Sequence, residues 1–133
     1  MWALPQRDCR QCDQEMIYAL KKIPLISSYV EEKSENEKVV LTNIGILREY
    51  ITRYLNSYEY INKEQTILVR QLEGTSQGII FEVYAFTTAT DLITFEKIQA
   101  DIFDHIYTIL PIFNLRLYQN PSSYDMQQMI KNL

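Results

Sequence analysis

The chain has 133 residues, 47% of them apolar, a formal net charge of −4, and only three glycines and four prolines. This predicts one domain with a core of its own, and excludes a linker or a low-complexity tail. Nucleic acid is excluded as a partner for want of a basic face, and direct bilayer insertion for want of ~18 consecutive apolar residues.

Residues 1–12 read as an irregular N-terminus. They hold two arginines, one aspartate and no apolar run of the signal-peptide kind, and residues 2–8, interrupted by Pro5, make a poor strand. The expectation is a soluble, cytoplasmic chain. Cys9 and Cys12 form one C-x-x-C. A structural zinc needs four ligands, and the single histidine, His105, is far away in sequence. A redox pair should follow a strand and open a helix. Two incidental thiols are therefore the plainer reading.

Residues 13–37 read as an N-terminal helical segment. Asp13 can cap a helix carrying Met16, Ile17, Leu20 and Ile23, and Pro24 fits the first turn of a second short helix that runs out in a charged loop. Residues 38–42 (KVVLT) are β-branched and predict a strand. Thr42 or Asn43 then caps a helix with Leu47, Ile51, Tyr54, Leu55 and Tyr58 on one face, and Gly45 in its first turn allows close packing.

Residues 66–72 and 79–86 predict a hairpin across a turn at 73–78. On its second strand Phe81, Val83 and Ala85 point one way, and Ile80, Glu82, Tyr84 and Phe86 the other. Residues 87–91 supply caps for a long helix with a stripe of Phe95, Ile98, Ile102, Ile106 and Ile109, stopped by Pro111. Residues 115–119 predict a last short strand, and 120–133 a polar tail. The order β-α-β-β-α-β over residues 38–119 is that of a ferredoxin-like α+β domain: an antiparallel sheet with two helices on one face. The opposite face, with Ile80, Tyr84 and Phe86, is apolar enough to require a cover.

No catalytic set is visible, so an enzyme is not expected, and neither is a cofactor. His105 has Asp101 four residues before it and Asp104 beside it, which together offer too few ligands for a metal. A satisfied helical histidine is the better reading. Residues 74–78 lack the lysine of a phosphate-binding loop and join two strands. Tyr84 and Phe86 alternate where RNA-recognition domains stack bases, but the basic and glycine positions of that motif are absent. Arg48, Arg53 and Arg70 predict ion pairs with Glu49, Glu73, Glu82 or Asp101.

Six blocks carry a more specific likeness: LTNIG at 41–45, LVRQL at 68–72, EVYAFT at 82–87, IQADIFDH at 98–105, LP at 110–111 and LRLYQ at 115–119. In this order and spacing the chain, from about Cys12 to Asp125, resembles the C-terminal cytoplasmic domain of the small-conductance mechanosensitive ion channel family, miniconductance branch. The resemblance implies Thr42, Asn43, Gly45, Arg70, Gln71, Gln99, Asp101, Asp104 and His105 as structural motif residues. It also implies a homo-oligomer joined to the transmembrane part of a parent channel, on the cytoplasmic side of the bacterial inner membrane. Such domains build the wall of a vestibule below the pore. Tyr50, Tyr54, Arg70, Tyr84 and Phe86 are the candidate subunit-interface residues. Residues 1–9 do not continue the family pattern, so a truncated gene, a shifted start or a domain fragment is expected. The alternative is a stand-alone ferredoxin-like domain that binds a ligand or regulates.

Overall fold

The computed structural model describes residues 2–7, 10–36, 38–75 and 78–117, and it is a mixed helix-and-strand structure. In chain order come strand β1 (Trp2–Arg7), helices α1 (Gln14–Leu20), α2 (Ser27–Ser34) and α3 (Asn43–Ser57), and strands β2 (Leu68–Thr75) and β3 (Gly78–Tyr84). Helix α4 (Leu92–Ile109), a 3-10 turn (Leu110–Phe113) and the two-residue strand β4 (Arg116–Leu117) complete it. The sheet order is β2-β3-β1-β4, and every neighbouring pair is antiparallel. No helix among the described residues is long and apolar enough to cross a membrane.

Three of the four described helices begin where the sequence places their caps; α2 instead starts at Ser27, beyond Pro24 and without a side-chain cap, and it takes in residues 31–34 of the expected charged loop. The side chains of Asp13, Thr42 and Asp91 accept from the backbone N–H of Met16, Gly45 and Thr94, satisfying donors that a first turn leaves open. Pro111 ends α4 by entering the 3-10 turn. Asn114 closes that turn in the left-handed region (φ 56°), its N–H donating to the carbonyls of Leu110 and Pro111, a conformation Asn tolerates better than most residues.

The first strand differs from the sequence expectation. Residues 38–42 form no strand: Val40 is exposed, and Thr42 makes only an isolated bridge to Gln11 before capping α3. The sheet instead takes Trp2–Arg7, pairing Leu4 with Phe81, Pro5 with Ile80, Gln6 with Leu117 and Arg7 with Arg116. Trp2–Arg7 is thus a strand within what the sequence predicts to be an irregular N-terminus. The β-branched run at 38–42 lost because strand preference is decided by available sheet partners more than by residue type.

The hairpin is tighter than expected, its strands running to Thr75 and from Gly78, with a register shift between Gln71 and Gly74. Positive φ at Gly78 (112°) suits the glycine there. Residues 118–119 of the expected last strand and the tail at 120–133 lie outside the described residues.

One core unites these parts. Val69, Phe81 and Val83 of the sheet, Ile44, Leu47, Ile51 and Leu55 of α3, and Ile98, Ile102, Ile106 and Ile109 of α4 are buried together with Phe113. Met16, Leu20, Ile26 and Val30 bring α1 and α2 into the same cluster. Arg53 on α3 donates to the Leu25 carbonyl and to Ser28, so the N-terminal helices lie along the helix layer.

Candidate functional site

Two places gather the candidate residues. The first is the seam between α3 and α4. Tyr50, Tyr54 and Tyr58 recur every four residues on α3, so their rings stack along one side of it. Tyr50 and Tyr54 are nearly parallel with centroids 6.5 Å apart. The His105 ring lies 4.0 Å from that of Tyr54, at an interplanar angle of 13°, and its Nε2 is 2.9 Å from the Tyr50 hydroxyl oxygen. Phe113 meets Tyr50 edge-on at 5.6 Å. Tyr54 continues to Tyr58, and Tyr58 meets Tyr60 edge-on at 5.7 Å.

This environment moves the titrations. Burial lowers the His105 pKa below its usual value, because the charged imidazolium loses water. Burial, then the neighbouring Tyr58, Tyr50 and Asp101, pushes Tyr54 up to about 12. Burial likewise raises Tyr50, and burial followed by the Asp101 carboxylate raises Tyr58. His105 is therefore a satisfied helical histidine whose hydrogen-bond partner is Tyr50, across the seam. Asp101, four residues before it on α4, acts on Tyr54 and Tyr58.

Asn43 anchors one end of this seam. It is fully buried; its Oδ1 accepts from the Arg10 N–H at 2.9 Å and its Nδ2 donates to the Phe113 carbonyl at 3.0 Å. Its own N–H donates to the Arg10 carbonyl at 3.0 Å. One side chain thus ties the segment after β1, the start of α3 and the turn before β4. The neighbouring Thr42 caps Gly45, where an added Cβ would sit 3.0 Å from the Thr42 hydroxyl oxygen.

The second place is the sheet face turned away from the helices. Leu68 and Arg70 of β2 share it with Ile80, Glu82 and Tyr84 of β3, and Phe86 follows. Arg70 and Glu82 are cross-strand partners, with Nε donating to Oε1 at 2.8 Å. Tyr84 and Phe86 meet edge-on at 5.2 Å. Leu68 is 44% and Phe86 43% exposed, and both α1 and α2 lie elsewhere. Gln71 points to the helix side, where Arg48 donates to its Oε1 at 3.3 Å.

The candidate interface residues therefore divide. Arg70, Tyr84 and Phe86 belong to the outer face, while Tyr50 and Tyr54 are half-buried with their rings engaged against α4. Gln99 is partly buried, and Asp101 and Asp104 are exposed on α4. Among the described residues no three His, Cys, Asp or Glu side chains come together as metal ligands. Phe113 and Tyr60 join the seam without having been candidates. The four-residue spacing of the α3 tyrosines was visible in the sequence, but Phe113 and Tyr60 reach them only through turns whose direction the sequence does not reveal. None of the protein-family models matches this chain.

Proposed function

We propose that this chain is a ferredoxin-like cytoplasmic domain of a small-conductance mechanosensitive channel, miniconductance branch, with a structural and assembly role. Copies of it line a vestibule beneath the pore, joined to the transmembrane part of the parent channel at the bacterial inner membrane. The domain carries out no catalysis and takes no cofactor. Six sequence blocks in register support the family reading. The antiparallel order β2-β3-β1-β4, with helices between β1 and β2 and between β3 and β4, supports the ferredoxin-like reading. In this reading Thr42 and Gly45 start α3, Asn43 ties that start to the segment after β1 and the turn before β4, and His105 joins α4 to α3.

The observation that carries the assembly role is the outer sheet face. Leu68 and Phe86 are exposed, and Ile80 and Tyr84 half-buried, around the Arg70–Glu82 pair on the sheet face turned away from the described helices. Arg and aromatic side chains are enriched at protein interfaces. Analytical ultracentrifugation tests it: the chain self-associates with rising concentration, and Leu68→Asp with Phe86→Asp abolishes this while far-UV circular dichroism stays unchanged. A strict monomer at high concentration overturns the assembly role.

A further inference from the structure

We propose that the groove between Tyr60 and the first half of α4 binds a small zwitterion, an ammonium carboxylate of the betaine or amino-acid class. The groove has a volume of about 270 Å³ and is lined by Tyr60, Thr94, Lys97, Ile98 and Asp101. That size suits a ligand at or below the lower end of the small-molecule range. Its floor is Ile98, which is buried. Its wall is braced against β3 and the loop after it: Thr88 N–H donates to the Tyr60 carbonyl at 2.9 Å, Asn62 N–H donates to the Phe86 carbonyl at 2.8 Å, and Ile61 bridges Thr87.

The charges of the groove decide the ligand class. Lys97 and Asp101 stand one turn apart on α4, about 6 Å along the axis. They form no ion pair with each other or with any other described residue. Lysine preceding the acid is the weaker order for such a pair on a helix. Asp101 lies near enough to Tyr54 and Tyr58 to disfavour their ionisation, so its carboxylate sits at the end of the aromatic run. There Tyr58 and Tyr60 meet at 71°. Of these two rings Tyr60 lines the groove, and with the Asp101 carboxylate beside it attracts an alkylammonium through its ring and the acid's charge. Lys97, nearer the positive end of the α4 dipole, attracts a carboxylate. A plain cation meets repulsion from Lys97, and a plain anion meets it from Asp101, so the pair selects a ligand bearing both signs.

Both charges are exposed, so binding is weak, with a dissociation constant on the order of a millimolar. The proposal rests on the groove alone and stands whether or not the chain forms a channel wall. The test is a titration of the full ¹⁵N-labelled chain with trimethylglycine, followed by amide NMR, with tetramethylammonium and acetate as single-charge controls at matched ionic strength. The expected result is a saturable shift of the amides around Tyr60, Lys97 and Asp101, with each control at least about tenfold weaker. Lys97→Gln, Asp101→Asn and Tyr60→Ala each weaken it about fivefold or more, and all three positions are exposed enough to leave the fold intact. Controls that bind as tightly as trimethylglycine, no saturable shift, or affinity unchanged in Lys97→Gln and Asp101→Asn would each overturn it.

Discussion

The Tyr50 hydroxyl oxygen lies 2.9 Å from His105 Nε2, joining α3 to α4 through side chains 55 positions apart. A neutral imidazole can accept or donate at Nε2 according to its tautomer, whereas a protonated one must donate. Tyr50 and Tyr54 face the ring from α3, and Asp101 and Asp104 lie near it in sequence on α4.

Lowering the pH should therefore destabilise the fold through His105. Its folded pKa lies below the unfolded value of 6.5, so the unfolded chain binds the proton first. Stability is unaffected above that value and falls as the pH drops from it toward the folded pKa. Urea midpoints between about pH 7.5 and about pH 5.5 should decrease in the wild type and flatten in His105→Gln. Equal slopes in the two proteins would remove His105 as the cause.

At the alkaline end the controlling group is Tyr54. Its pKa of about 12 makes it among the last phenols to ionise in an ultraviolet titration. Because the folded value exceeds the unfolded 10.0, the stability it contributes is whole below 10.0 and is lost as the pH rises toward 12. Tyr54→Phe should delete the highest step of the titration curve, and Asp101→Asn should move that step down. A curve unchanged by either substitution contradicts the assignment.

Asn43→Ala is expected to be among the costlier polar substitutions. It leaves the Arg10 N–H and the Phe113 carbonyl without their partner, at roughly 1–3 kcal/mol for each buried group. Chemical denaturation should register a loss of about 2–4 kcal/mol. A loss below about 1 kcal/mol would mean that water replaces the side chain.

Gly45→Ala sets two effects against each other. Alanine inside a helix is favoured over glycine by about 1 kcal/mol. The new Cβ, however, presses on the Thr42 oxygen that accepts from the residue-45 N–H, a cap worth about 1 kcal/mol. The single variant should be near neutral. In a Thr42→Ala background the same change should stabilise by about 1 kcal/mol, since the opposing contact is gone. Additive effects in the double-mutant cycle would refute the opposition.

Much of the helix layer was legible because its signals are local. Asp13, Thr42 and Asp91 sit next to the stripes they cap, and Ile98, Ile102, Ile106 and Ile109 show their face by spacing alone. Phe81 and Val83 alternate with Ile80 and Glu82, so the inner and outer faces of β3 were legible too. The first strand was not. Pro5 argues against a central strand, because proline cannot donate to a ladder, yet Trp2–Arg7 pairs with both β3 and β4. Residues 38–42 have strand composition without a strand neighbour. At the seam the repeating tyrosines could be read, but the partner of His105 could not, since a sequence offers Asp101 at four residues and conceals Tyr50 at 55.

The place of β1 has a kinetic consequence. The earliest strand in the chain is flanked by the last two, so the sheet cannot be completed until nearly all the intervening polypeptide exists and has folded back. The β2–β3 hairpin and the α3–α4 pair form from nearer neighbours. Contacts of such wide sequence separation slow folding, because the loop they close loses entropy before pairing repays it. Closure of the Trp2–Arg7 ladder is thus the step at which refolding should be slowest, leaving the β3 edge open to other strands until it is made.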